Sequence, residues 1–155
     1  MTRRPAIAVV TLLTALALSA CGAGEGPPPA PEPGGVSVTD GPTATTAPAS
    51  GATLDPPQFA AALKAPGTVI LDVRTPTEFA EGHLPGAVNL DVQSRDFADT
   101  ARTLDPSVPY AVYCRSGNRS QAALELMAAA GLTDAYHLGG GIGSWERAGG
   151  EIVTP

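Results

Sequence analysis

The chain changes texture near its fifty-second residue. Before that point, apolar residues form one block, Ala6 to Ala20, followed by a stretch dominated by Gly, Pro, Ala, Thr and Ser. From Thr53 onward, short apolar runs of strand length alternate with segments of helical character. Asp55-Pro56-Pro57-Gln58 reads as a helix start, with an Asx cap, Pro at the first helical position and Gln three residues on, opening a helix over Phe59 to Lys64. "TVILDV" is a continuous apolar run, as expected of a strand buried on both faces. Thr75-Pro76-Thr77-Glu78 is a capping box that opens a short helix closed by Gly82. "GAVNL" is a second strand, a weaker helix covers 95–104, and "YAVYC" after Pro109 is a third strand. Ser120 to Ala130, rich in Ala, Leu and Met and closed by Gly131, is a strong helix. "AYHL" is a fourth strand, and a last helical segment surrounds Trp145. This alternation predicts an α/β domain over 53–155, an open and mostly parallel sheet flanked by helices on both faces.

Composition sets the limits of that domain. Every aromatic residue lies beyond position 58, so a core is expected only in roughly the last hundred residues. Residues 1–20 read as a secretory signal: Arg3 and Arg4 precede an apolar run of 15 residues, too short for a comfortable membrane span. The run ends in Leu18-Ser19-Ala20-Cys21, which resembles the bacterial lipobox, and that resemblance implies lipidation of Cys21. Residues 21–52, with "PPPAPEPGG" and "TATTAPASG", lack the apolar surface to offset their ordering entropy and are expected to be a disordered or partly extended tether. The expected location is therefore the extracytoplasmic side of a cell membrane, with a lipid as anchor.

Without the signal, seven basic residues face fifteen acidic ones, a formal charge of −8. Such a body offers no basic face to nucleic acid and is repelled by an anionic bilayer. A lipidated Cys21 would also leave Cys114 without an intramolecular partner. A lone thiol in an oxidising compartment favours a chemical role for it.

Cys114 falls at the carboxyl end of a predicted strand, where open α/β sheets bind ligands. The loop Cys114-Arg115-Ser116-Gly117-Asn118-Arg119 runs straight into a helix. Its amides can form a nest for negative charge, the helix dipole adds positive potential, and Arg115 and Arg119 add more. All of these favour a thiolate. Cysteine-dependent phosphate transfer uses Cys-x5-Arg, in which the arginine clamps two phosphate oxygens. Here Arg119 comes one position early and Ser120 occupies that place, so the cradle suits a single added sulfur. Ser116 or Ser120 could donate to a bound anion.

"LDVRTPTEFAEGHLPGAVNL", "YCRSGNRS" and "LGGGIGSW", in this order and spacing, resemble the single-domain rhodaneses, the sulfurtransferase family, over roughly Pro57 to Ile152. The resemblance implies that Cys114 carries a sulfane sulfur as a persulfide. That sulfur would come from a small anionic donor such as thiosulfate and pass to cyanide or a thiol. Arg115, Ser116, Gly117, Asn118, Arg119 and Ser120 would hold the anion, with no cofactor and no metal. Asp72, Arg74 and Glu78 are expected in support, with Arg74 bridging to Glu78 and Asp72 capping backbone near the loop. His83 and His137, with acidic residues scattered between them, make no plausible metal site. Asp91 and Glu151 stand where the family often has Pro, which bears only on local turns. The alternatives are a non-catalytic interaction module of the same fold and a phosphatase or arsenate reductase. The intact cysteine disfavours the first and the short loop disfavours the second.

Overall fold

Successive residues of the strand Tyr110–Tyr113 serve two different cores, as a strand covered on both faces must. In the computed structural model, which describes residues 35–155, Tyr110 and Val112 join one buried cluster and Ala111 and Tyr113 the other. The strands are β1 (Thr53–Leu54), β2 (Val69–Asp72), β3 (Val88–Asn89), β4 (Tyr110–Tyr113) and β5 (Ala135–Leu138). The helices are α1 (Pro56–Leu63), α2 (Pro76–Glu81), α3 (Phe97–Ala101), α4 (Asn118–Ala129) and α5 (Gly141–Arg147). The sheet runs in the order β1-β5-β4-β2-β3, and every neighbouring pair is parallel. The central strand β4 and its neighbour β5 are buried at every position. The edge strands β1 and β3 are two residues long, and edges this short offer little template for unwanted pairing.

Each face of the sheet is closed by two helices. One cluster gathers Phe97 and Ala101 of α3 with Ala123, Leu124 and Met127 of α4. The other gathers Phe59, Ala60 and Leu63 of α1 with Ile142 and Trp145 of α5. Phe59 meets Tyr136 and Trp145 edge-on, with ring centroids 6.0 and 6.3 Å away. Both expected capping boxes form. Asp55 accepts from the Gln58 amide while the Gln58 side chain accepts from the Asp55 amide. Thr75 and Glu78 do the same for α2.

Several expectations change in the structure. β1 is an additional strand, and α4 begins at Asn118, two residues before Ser120. The expected Arg74–Glu78 bridge is replaced by two other pairs. Arg74 closes on Asp72, while Glu78 accepts from both terminal nitrogens of Arg119 at 2.7 Å each, tying α2 to α4. The Asp72 carboxylate is already buried two residues from Arg74, so the guanidinium neutralises it and leaves Glu78 to the helix opposite. Asp72 does cap backbone as expected, accepting from the Arg74 amide at 2.9 Å.

The expected signal segment 1–20 and Cys21 lie outside the described residues. Of the expected tether, 35–52 is described and carries no helix or strand, yet it lies along the domain rather than free of it. The Val36 amide donates to Ala148, the Ala44 amide to Ala61 and the Gly51 amide to Ala135. Val36, Val38 and Ala52 pack on the second core. A few apolar residues with backbone partners suffice to order a stretch whose composition reads as linker.

Phe59→Ala removes the ring at the centre of the second core and should lower unfolding free energy by about 3–5 kcal/mol in denaturant titration. The Glu78–Arg119 pair should show itself at acid pH. The Arg119 guanidinium, assisted by the Thr75 amide and hydroxyl, holds the Glu78 carboxyl at about 2 against the opposing effect of burial. A carboxyl lowered by folding stabilises the fold fully above its unfolded value and loses that contribution as pH falls towards its folded value. The stability gap between wild type and Glu78→Gln should therefore be flat at neutral pH and close between about pH 4.5 and 2.

Candidate active site

β4 delivers Cys114 to the carboxyl edge of the sheet, and the chain then turns through Arg115, Ser116 and Gly117 into α4. Gly117 has φ +100°, a left-handed conformation that glycine adopts without penalty. No side chain caps α4, so the amides of its first turn lack the partner a Ser or Asp would supply. The sulfur takes that place. The Gly117 N–H donates to Cys114 Sγ at 3.1 Å. Burial raises the thiol pKa. The Ser120 amide and hydroxyl and the Ser116 and Gly117 amides, gathered around the sulfur, favour its charged form and outweigh that effect, leaving the pKa below the ordinary cysteine value.

The glycines of "LGGGIGSW" let α5 approach the loop. Gly141 has φ +58°, and a Cβ there would stand 2.3 Å from the Cys114 carbonyl oxygen and 2.5 Å from the Arg115 carbonyl carbon. With no side chain in the way, the Ile142 amide donates to the Cys114 carbonyl at 2.8 Å. The loop is thus held from both sides, by α4 through the sulfur and by α5 through the backbone.

A third support comes from the buried pair after β2. Asp72 is fully buried and Arg74 nearly so. The Arg74 Nε donates to both Asp72 oxygens at 2.9 Å, and Nη2 donates to the Gly82 carbonyl at 2.6 Å. The guanidinium also lies over the Tyr113 ring, 5.7 Å from its centroid. Asn89 ties the same turn to β3, donating to the carbonyls of Asp72 and Arg74. These residues order the floor beside Cys114 without touching its sulfur.

The sequence-predicted site residues therefore separate by position. Ser116, Gly117 and Ser120 surround the sulfur. Arg119 is engaged by Glu78, and Asn118 stands exposed at the first position of α4. Arg115 is exposed at the rim, its side chain without a hydrogen bond or ion pair among the described residues. A cavity of about 550 Å³ lies over the loop, lined by Arg74, Glu78, Arg115, Ser116, Ile142 and Arg147 among others. That volume is in the range of pockets that take whole small molecules. Cys114 itself is covered.

The sequence presents His137 only as a poor metal ligand, yet it stands beside Ser120 at this site. It lies buried in β5, bonded through Nδ1 to the Ser120 hydroxyl at 2.9 Å and through Nε2 to the Thr53 hydroxyl at 2.8 Å. The available signal was a histidine in a strand otherwise fit for burial on both faces. His83 is elsewhere, stacked on Phe79 at 3.8 Å with Nδ1 on the Phe79 carbonyl. Among the described residues no cluster of three His, Cys, Asp or Glu could hold a metal ion.

The "Rhodanese-like domain" family matches residues 55–148. Thiosulfate sulfurtransferase GlpE of Pseudomonas syringae is 40% identical over 90 residues, 58% of this chain and 83% of the relative. Its counterpart in Pseudomonas putida is 41% identical over 91 residues, 58% of this chain and 81% of the relative. Among solved structures, a rhodanese-related protein from Thermoplasma volcanium superposes with a TM-score of 0.60 at 29% identity, covering 67% of this chain and 99% of its own. With the cysteine loop, the glycine-backed α5 and these relatives agreeing, the chain belongs to the rhodanese-like family and is a rhodanese-type sulfurtransferase.

Proposed function

We propose that the transfer runs through a persulfide on Cys114. The thiolate attacks the outer sulfur of thiosulfate, forms a sulfur–sulfur bond and expels sulfite, which keeps the bonding pair. Cyanide or a thiolate then attacks the outer sulfur of the persulfide, takes that sulfur and returns Cys114 as thiolate. This is a double displacement through a covalent intermediate. The observation that carries the reading is the hydrogen bond from the Gly117 amide to Sγ, within a loop whose other amides lower the thiol pKa. In this mechanism the amides of Ser116, Gly117 and Ser120 and the Ser120 hydroxyl hold the sulfur anion. Arg115, free at the cavity rim, meets the anionic donor. Arg119 acts through Glu78 to fix the start of α4, with Asn118 beside it facing solvent. Asp72 and Arg74 support the floor.

We also propose that the enzyme is anchored by a lipid on Cys21 and works on the extracytoplasmic side of the membrane. The basic start, the apolar run of 15 residues and Leu18-Ser19-Ala20-Cys21 support this reading. A diacyl anchor suits a chain whose acidic body has no attraction to an anionic surface.

With thiosulfate and cyanide, the full chain should form thiocyanate, and Cys114→Ser should abolish it. Thiosulfate alone should add one sulfur to the mass of the Cys114 peptide. Turnover surviving in Cys114→Ser, or no sulfur adduct on the wild type, would overturn the mechanism. Cells expressing the chain and fed a radioactive fatty acid should label the wild type and not Cys21→Ala; equal labelling of the two refutes the anchor.

A further inference from the structure

Ser120 carries a single hydroxyl proton but has two polar neighbours besides the sulfur. Its Oγ lies 3.0 Å from the Gly117 carbonyl and 2.9 Å from His137 Nδ1. A carbonyl can only accept, so the contact with Gly117 uses the Ser120 proton. The contact with His137 can then form only if Nδ1 carries a hydrogen and donates it to Oγ. In the neutral ring this leaves Nε2 as an acceptor, and the Thr53 hydroxyl 2.8 Å away supplies the hydrogen. The chain of donors runs one way: Thr53 hydroxyl to His137 Nε2, His137 Nδ1 to Ser120 Oγ, and the Ser120 proton onward. The opposite tautomer would draw the Ser120 proton towards the ring and away from the loop.

We infer that His137 is a positioning residue that holds the Ser120 oxygen as an acceptor, so that the Ser120 proton is kept for the charged sulfur of Cys114. In the resting thiol state that proton rests on the Gly117 carbonyl. When the sulfur becomes a thiolate or a persulfide anion, the charged acceptor is the stronger one and the proton turns to it. Thr53, on the edge strand β1, sets the tautomer from outside. The ring stays neutral, since burial lowers its pKa and among the described residues no carboxylate bonds to it.

The charged groups packed beneath the loop are paired, and Arg115 and Arg147, unpaired among the described residues, stand at the cavity rim. Arg119 of α4 is paired with Glu78 of α2, and Asp72 is closed on Arg74. Tyr113, the neighbour on β4, accepts from the Leu84 amide through its hydroxyl. From α5 the Ile142 amide binds the Cys114 carbonyl. Charge on the sulfur is therefore met by neutral donors, and the one side-chain donor among them is under the control of His137.

The inference rests on Cys114 as sulfur carrier, but its test reads alkylation and does not depend on sulfur transfer. On the full chain, iodoacetamide labelling of the Cys114 peptide, followed by mass spectrometry across pH, gives the midpoint of thiolate formation. Ser120→Ala and His137→Val should each raise that midpoint by about one unit, a tenfold loss of thiolate at a given lower pH. The double variant should shift no further, because the two residues act as one unit. His137→Asn, whose amide can donate to Ser120 in place of Nδ1–H, should restore a midpoint close to wild type. An unchanged midpoint in His137→Val, or shifts that add fully in the double variant, would overturn the inference. Nitrogen NMR of the wild-type imidazoles supplies a readout that no misfolded variant can cloud. The signal lost in His137→Asn should report hydrogen on Nδ1 and an accepting Nε2, and the reverse tautomer refutes the proposal.

Discussion

The first turn of a helix carries amide donors that the helix itself cannot satisfy, and much of this site follows from what α4 does with them. A Ser or Asp at the cap would have consumed those donors. Gly117 has no side chain to offer, and its left-handed conformation folds the loop back so that its own amide reaches the Cys114 sulfur. The sulfur thereby becomes the cap of the helix that follows it. Capping and activation are one interaction: the hydrogen bonds that satisfy the backbone also prefer a charged sulfur to a neutral one.

That arrangement requires a loop that cannot relax away from the sulfur, and the rest of the domain supplies the restraint. β4 fixes one end of the loop by burial on both faces. Gly140 and Gly141, both at positive φ, bring α5 against the other side, where a single Cβ at Gly141 would collide with the Cys114 carbonyl. Beneath, the Asp72–Arg74 pair is buried and reaches the Gly82 carbonyl, joining the turn after β2 to the end of α2. A buried ion pair is weak evidence for stability in itself. Here its geometry joins those two turns, and its contribution is to position.

Much of this was legible in the residues because it is local. Capping boxes are four-residue patterns, and both Asp55–Gln58 and Thr75–Glu78 form as read. The spacing from Cys114 to Arg119 is local too. What escaped the sequence depends on contacts distant along the chain. β1 has two residues, fewer than any alternation can reveal, and exists because β5 offers it an edge at Thr53–His137. Glu78 found Arg119, 41 positions away, because Asp72 had already taken Arg74. His137 looked unremarkable in "AYHL", since nothing in a four-residue strand says that Ser120 and Thr53 will stand at its two nitrogens. Residues 35–52 read as linker by composition, yet Val36 and Val38 are enough to lay the segment on the second core.

The division of charge around the loop bears on the proposed reaction. A guanidinium bonded directly to the sulfur would stabilise the thiolate, but it would also hold the persulfide tightly and oppose its discharge. The two arginines nearest the loop floor are instead neutralised by carboxylates, Arg119 by Glu78 and Arg74 by Asp72. Neutral amides and one hydroxyl are left to hold the sulfur anion, and these stabilise thiolate and persulfide alike. A carrier needs that balance, because it must form and release the same charge in each cycle. Arg115 and Arg147, at the cavity wall, have no carboxylate partner among the described residues. In the proposed mechanism, positive charge there draws in the donor and receives the departing sulfite without touching the carrier sulfur. On that mechanism the fold separates the groups that recognise the anion from those that carry the sulfur.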